Sequence, residues 1–194
     1  MTITTRLFTV GDLENFPDDG SRYEVIDGEL YVSTAPHIEH QLIQTNCATP
    51  LDSWSKRTGL GVLVPGSGLI FSRHDGVIPD LMWFGKERYP VARINPATGE
   101  QDGKVYLAPE IAVEVLSPGK ANEERDRETK LTLYSRRGVR EYWIINRFTR
   151  TVAIYRRTAA AELVLTTTLT DRDTLTSPLL PDFALAIEDI FLLP

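Results

Sequence analysis

The chain is poor in the residues that staple a fold or hold a structural metal. Among its 194 residues are one cysteine, Cys47, and three histidines, His37, His40 and His74. A lone cysteine forms no internal disulfide, and without cysteine partners zinc fingers and ribbons are excluded. Cys47 sits in a helical pattern beside apolar residues, which reads as core packing in a reducing cytoplasm, with a catalytic thiol a distant second. The sequence has no long uninterrupted apolar segment, and its opening MTITTRLFTV lacks a basic start followed by an apolar block, so neither a membrane span nor a signal peptide is expected. It also lacks an excess of positive charge: a net charge of −6 argues against a protein that coats nucleic acid without specificity. There is no internal repeat, basic zipper or evident helix-turn-helix, so no base-recognition code can be read from it.

What is present suits one soluble domain spanning residues 1–194, because the 42% hydrophobic content is enough for a substantial core at this length. Thr9, with Asp12 three residues on, marks a short helix through Asn15. Arg22–Ile26 and Glu29–Val32 flank Asp27-Gly28, a pair suited to a two-residue hairpin turn. Ile38, Leu42, Ile43, Cys47, Leu51 and Trp54 recur at helical spacing, so Pro36–Arg57 is expected to be a long helix that Pro50 kinks or splits. Strands are expected at Gly61–Val64, Leu69–Phe71 and Val77–Phe84, then an irregular stretch from Gly85 to Tyr106. After a strand at Ile111–Leu116 comes a helix from about Asn122 to Arg137 that Gly138 closes. Strands at Glu141–Ile145, Val152–Tyr155 and Leu163–Leu169 follow, and an apolar tail ends the chain. This order predicts an α/β fold: a central mixed β-sheet flanked by helices.

Two of the expected strands carry a carboxylate inside an apolar run, Asp80 in Val77–Phe84 and Glu114 in Ile111–Leu116. An ionised carboxylate taken out of water costs several kcal/mol unless donors or a cation meet it. For Glu114 a strand-end acid facing solvent or paired with an arginine is the competing reading. Two carboxylates on neighbouring strands can hold one Mg²⁺, which takes oxygen ligands and keeps waters of its own. Lys130 lies on the helix after the Glu114 strand, with Arg127 and Tyr134 at helical spacing from it, either at such a site or as an ordinary surface lysine. Charge is also uneven: Lys120 to Arg157 holds 11 Lys and Arg against 5 Asp and Glu, a local +6 that leaves −12 elsewhere. This segment either faces phosphates or is a solvated helix face and hairpin.

The ordered set Arg22-Tyr23-Glu24-Val25-Ile26-Asp27-Gly28-Glu29-Leu30, His40, Val77-Ile78-Pro79-Asp80-Leu81, Ala108 to Pro118, Asp126, Lys130, Tyr134, Gly138 to Ile145 and Ser177 to Phe183 resembles the Uma-two family of restriction endonucleases. That family is a branch of the PD-(D/E)XK nuclease superfamily, and the likeness runs over nearly the whole chain. It implies a restriction-endonuclease-like fold and metal-dependent hydrolysis of DNA. Asp80 matches the metal-binding Asp of the first motif and Glu114 the acid of the second. The lysine usual two residues after that acid is replaced by Leu116, and the resemblance implies that Lys130 supplies the amine from the next helix. Glu24 resembles the additional acid many members place near the metal, an ordinary surface pair being the other reading. His40 lies either near the site or in a structural hydrogen bond.

What the resemblance implies, then, is Mg²⁺, with Mn²⁺ as a substitute, held by Asp80, Glu114 and the backbone carbonyl of Val115. Double-stranded DNA is the expected partner, its backbone met by Arg125, Arg127, Arg136 and Arg137, with a homodimer expected by analogy. Two other classes stay open: a nuclease-fold module that binds without cutting, and a hydrolase of small phosphorylated molecules.

Overall fold

The computed structural model describes residues 7–193. Thr9 caps a 3₁₀ turn, Val10–Asn15, through a reciprocal box in which Asp12 N–H donates to Thr9 Oγ1 at 3.2 Å and Thr9 N–H to Asp12 Oδ2 at 2.8 Å. The hairpin β1 (Arg22–Ile26) and β2 (Glu29–Ser33) turns on Asp27 and Gly28, whose φ angles of 51° and 80° supply the two left-handed residues such a turn needs. Helix α1 (Ile38–Thr58) runs through Pro50 without splitting, contrary to one of the two sequence expectations. Proline forfeits one amide bond, but Ile43, Cys47, Leu51 and Trp54 bury the helix against the core on both sides of it. The Cys47 thiol is fully buried there, and burial pushes its pKa up to about 12, as expected of a packing residue.

Strands β3 (Gly61–Pro65), β4 (Leu69–Ser72), β5 (Asp75–Val77) and β6 (Leu81–Gly85) follow, then a short helix, α2 (Tyr89–Ala92), and strand β7 (Ile111–Val115). The expected single strand Val77–Phe84 is two strands in two different sheets. The chain leaves one sheet at Val77, turns a corner at Ile78-Pro79-Asp80 and enters the other at Leu81. Pro79 has no N–H to give to a ladder, and the corner is tied instead by Ile78 N–H donating to Glu24 Oε1 at 2.7 Å and Gly66 N–H to Asp80 O at 3.1 Å.

Next come α3 (Lys120–Glu124), a π-helical turn at Arg125–Thr129 and α4 (Lys130–Arg137), one continuous helical run that ends at Gly138 in a left-handed conformation. In the wide turn Lys130 N–H donates to Arg125 O, five residues back. The chain closes with β8 (Glu141–Asn146), β9 (Thr151–Arg157), β10 (Leu163–Leu169), the hairpin β11 (Thr174–Ser177) and β12 (Leu180–Ala186), and α5 (Ile187–Ile190).

The main sheet has six strands in the order β10-β9-β8-β7-β6-β3, antiparallel throughout except for β7 beside β8. That parallel pair requires a crossover, which the helical run from Lys120 to Arg137 provides. A second sheet, β2-β1-β5-β4, has four strands. Alternation along β7 sorts its side chains. Ile111, Val113 and Val115 join the core under α1 and the closing tail, while Ala112 and Leu116 join the core that contains Tyr134 of α4 and Val77 of β5. Glu114 shares the parity of that second set.

Candidate active site

The β6–β7 register pairs Leu81 with Val113, so one step further along the same ladder Asp80 comes opposite Glu114. Asp80 lies at the mouth of the sheet, on the corner before β6, and its Oδ2 accepts from Val115 N–H at 2.9 Å. Strand residues point N–H and C=O to the same side. The Val115 carbonyl therefore faces the Asp80 edge, beyond the last β6 partner. Gln44 of α1 fixes the corner from behind, its amide donating to Asp80 O at 2.9 Å.

Lys130 is 2% exposed and sits at the centre of the acids. Its Nζ lies 2.9 Å from Glu114 Oε1, 3.0 Å from Glu24 Oε1 and 3.8 Å from Asp126 Oδ1. Burial alone would lower its pKa, but these three carboxylates outweigh that and hold it well above the usual lysine value, so the amine is a fixed cation. Tyr134, one turn on, donates to the same Glu114 oxygen at 3.0 Å. Both bonds to Glu114 fall on Oε1, which leaves Oε2 for the cleft. Arg125 Nε is 3.1 Å from Asp126 Oδ1 and 3.9 Å from Glu24 Oε2. Asp126, in the wide turn, thus stands between Arg125 and Lys130.

Asp80 is bracketed by Arg22 Nη1 at 3.1 Å from Oδ1 and His40 Nε2 at 3.1 Å from Oδ2, while His40 Nδ1 is buried without a partner among the described residues. Burial pushes the Asp80 carboxyl up, yet the bond to His40 and its charge, then Val115 N–H, hold it below the usual range. Glu114 behaves oppositely. Its desolvation exceeds the pull of Lys130, and Asp80, Asp126 and Glu24 add repulsion, so its carboxyl is pushed up to about 8. Asp126 is raised as well, chiefly by burial. Four carboxylates thus share one small cleft with the fixed charges of Lys130, Arg125 and Arg22. The cleft has a water-accessible volume of about 30 Å³, on the scale of an ion or a water molecule.

Among the described residues no three His, Cys, Asp or Glu side chains form a metal cage. The donors that do converge, two opposed carboxylates and one carbonyl, are what Mg²⁺ ordinarily takes from a protein when waters and substrate complete its shell. The residues present therefore fit such an ion.

Asp80, Glu114, Val115, Lys130 and Glu24, separated by up to 106 positions in sequence, all line this cleft. His40 lies in it too, and Glu24 is buried rather than in a surface pair. Not all the predicted phosphate-binding arginines do. Arg125 is buried in the cleft, whereas Arg127 pairs with Glu123 on its own helix at 2.7 Å. Arg136 and Arg137 reach away to Asp27 and Asp75, so the four form no single basic stripe. Sequence reasoning gave Arg22 and Asp126 no place in the site. Both fell inside quoted motifs, and Asp126 at four residues before Lys130 was a helical-spacing signal.

The fold is that of a nuclease-like mixed α/β protein. The chain superposes with a TM-score of 0.74 on a crystal structure described as a "putative nuclease belonging to DUF820" from Anabaena variabilis, at 21% identity, covering 95% of this chain and 97% of that one. A sequence model of the Uma2 family, described as "Putative restriction endonuclease", matches residues 10–188, and the chain belongs to that family. No curated protein matches it.

Proposed function

We propose that the protein is a metal-dependent endonuclease that hydrolyses DNA phosphodiester bonds. The observation that carries this reading is the opposition of Asp80 and Glu114 across β6 and β7, with the Lys130 ammonium 2.9 Å from Glu114. Asp80, Glu114 and the Val115 carbonyl would hold Mg²⁺ or Mn²⁺, which when bound polarises a phosphate oxygen and acidifies a coordinated water. Lys130, kept charged by Glu24, Glu114 and Asp126, presents a positive group where negative charge grows on phosphorus. Glu24 and Tyr134 fix the two ends of that arrangement: Glu24 ties Lys130 to the Ile78 amide, and Tyr134 orients Glu114. The lysine missing from β7 at Leu116 is thereby replaced from the helix.

A second reading, a nuclease-fold module that binds without cutting, draws on the net charge of −6 and on the three carboxylates that hold Lys130. Calorimetric titration of Mg²⁺ or Mn²⁺ into the parent protein and Glu114→Gln, with plasmid nicking by the same samples, separates the two. Metal binding lost in the variant, with nicking that needs both metal and Lys130, is the expected result. A parent that binds no divalent ion, even with duplex DNA present, sinks the nuclease reading.

A further inference from the structure

Arg22 stands at the oxygen of Asp80 that no other described group binds. Oδ2 is already taken by Val115 N–H and His40, and Oδ1 meets only the Arg22 guanidinium among the described residues. Of the three fixed cations lining the cleft, Arg22 alone is substantially exposed, its side chain at 29% against 9% for Arg125 and 2% for Lys130. Asp80 itself is buried, so the pair is open to solvent only on the Arg22 side, and a divalent ion competes for the same oxygen with twice the charge. Arg22 is also the first residue of β1, and it lines a second, largely apolar groove of about 330 Å³ between the 3₁₀ turn, β4 and β5. The guanidinium therefore has space to turn. Of its donors, only Nη1 is spent on Asp80.

We infer that Arg22 and the catalytic divalent ion compete for Asp80 Oδ1, and that the guanidinium so released binds the non-bridging oxygens of the phosphate being cut. The inference rests on the nuclease reading above. The planar fork of an arginine matches two phosphate oxygens, which a carboxylate held through one nitrogen does not exploit. Exchange of Arg22 for the ion also leaves the buried acids facing a larger positive charge while a free guanidinium is delivered at the substrate's entrance. Arg22 thereby makes ion binding and phosphate binding favour each other: the ion displaces the guanidinium, and the phosphate receives it.

The test is Mn²⁺ calorimetry and plasmid nicking on the parent, Arg22→Ala and Arg22→Lys. Arg22→Ala is expected to bind Mn²⁺ roughly fivefold more tightly, since its competitor is gone, while nicking falls roughly 10²- to 10³-fold. A residue that merely braces the cleft would weaken metal binding when removed. Unchanged or weaker Mn²⁺ affinity in Arg22→Ala, or unchanged nicking, overturns the inference. Arg22→Lys keeps the competing charge without the fork. Its Mn²⁺ affinity is expected within about twofold of the parent and its nicking reduced roughly tenfold, and full nicking by this variant overturns the inference even if the alanine variant does not fold. A parent that binds no Mn²⁺ removes the nuclease reading and this one together; a parent that binds and cuts, with affinity unmoved in Arg22→Ala, removes this one alone.

Discussion

The helical run from Lys120 to Arg137 anchors two ionic clusters, one at its middle and one at its far end, and they are built to opposite plans. At its far end Arg136 and Arg137 meet Asp75 of β5. One Asp75 oxygen accepts from Asp27 N–H at 2.9 Å and from Arg136 at 3.3 Å, the other from Ser72 Oγ at 2.9 Å and from Arg137, while Arg136 also pairs with Asp27 at 2.8 Å. Two acids face two arginines, and every Asp75 oxygen is filled. Burial opposes ionisation of Asp75, but the Asp27 amide, Arg137 and Ser72 hold its carboxyl below the usual value. At the wide turn four acids share Lys130, Arg125 and Arg22, and Glu114 is pushed up to about 8. A cluster that closes on itself holds the second sheet to the helix. A cluster left short of positive charge, at a cleft, asks for a cation from outside.

The largest effect should separate the two clusters by activity. Glu114→Gln is expected to abolish divalent binding and to reduce nicking at least roughly 10³-fold, whereas Asp75→Asn leaves nicking per folded molecule within about twofold; a plasmid assay on both checks it. A thermal or urea melt with Mg²⁺ at a hundredfold excess over its Kd should then raise the stability of the parent and of Asp75→Asn by about 2.7 kcal/mol. Glu114→Gln should show no such gain.

Without metal the order inverts. Asp75→Asn is expected to cost about 2 kcal/mol at neutral pH, a value already discounted for the partial exposure of both arginines. Because the folded-state carboxyl of Asp75 lies below its ordinary value of 3.8, its stabilisation is full above that pH and is lost as pH falls through the lowered value. Urea midpoints measured down through this acid range should therefore fall more steeply for the parent than for Asp75→Asn. The smallest effect belongs to Arg127→Ala. Its pair with Glu123 lies on an outer face of the same helical run and should contribute no more than about 0.5 kcal/mol to a urea melt.

Where the fold was legible, one physical rule sufficed locally. Asp27-Gly28 specified its hairpin, Gly138 its helix end, and the apolar runs around Glu114 and Trp143 their central strands. The corner at Pro79 was misread because Val77 to Phe84 is apolar apart from Asp80, and an apolar run does not say which of two sheets each half joins. The same limit hid Arg22: its partner Asp80 is 58 residues away, and nothing in a hairpin motif announces a contact across a sheet boundary. The uneven charge misled for a related reason. Arg136, Arg137, Arg147 and Arg150 are matched by Asp75, Glu39 and Asp171 from distant parts of the chain, so a basic stretch of sequence is not a basic stretch of surface.

The wide turn at Arg125–Thr129 makes chain length a functional parameter. Rewinding it as ordinary helix, with no residue removed, would rotate everything upstream by roughly 100° relative to α4, whereas removing one residue as the turn closes leaves that phase unchanged. In the first case Arg125 swings away from Glu24 and Asp126 away from Lys130, with every ligand and every charge still present in the sequence. The cleft is thus sensitive to phase as well as to composition: a deletion elsewhere in the helical run that removes no cleft residue can unmake it, while one taken from the wide turn is absorbed.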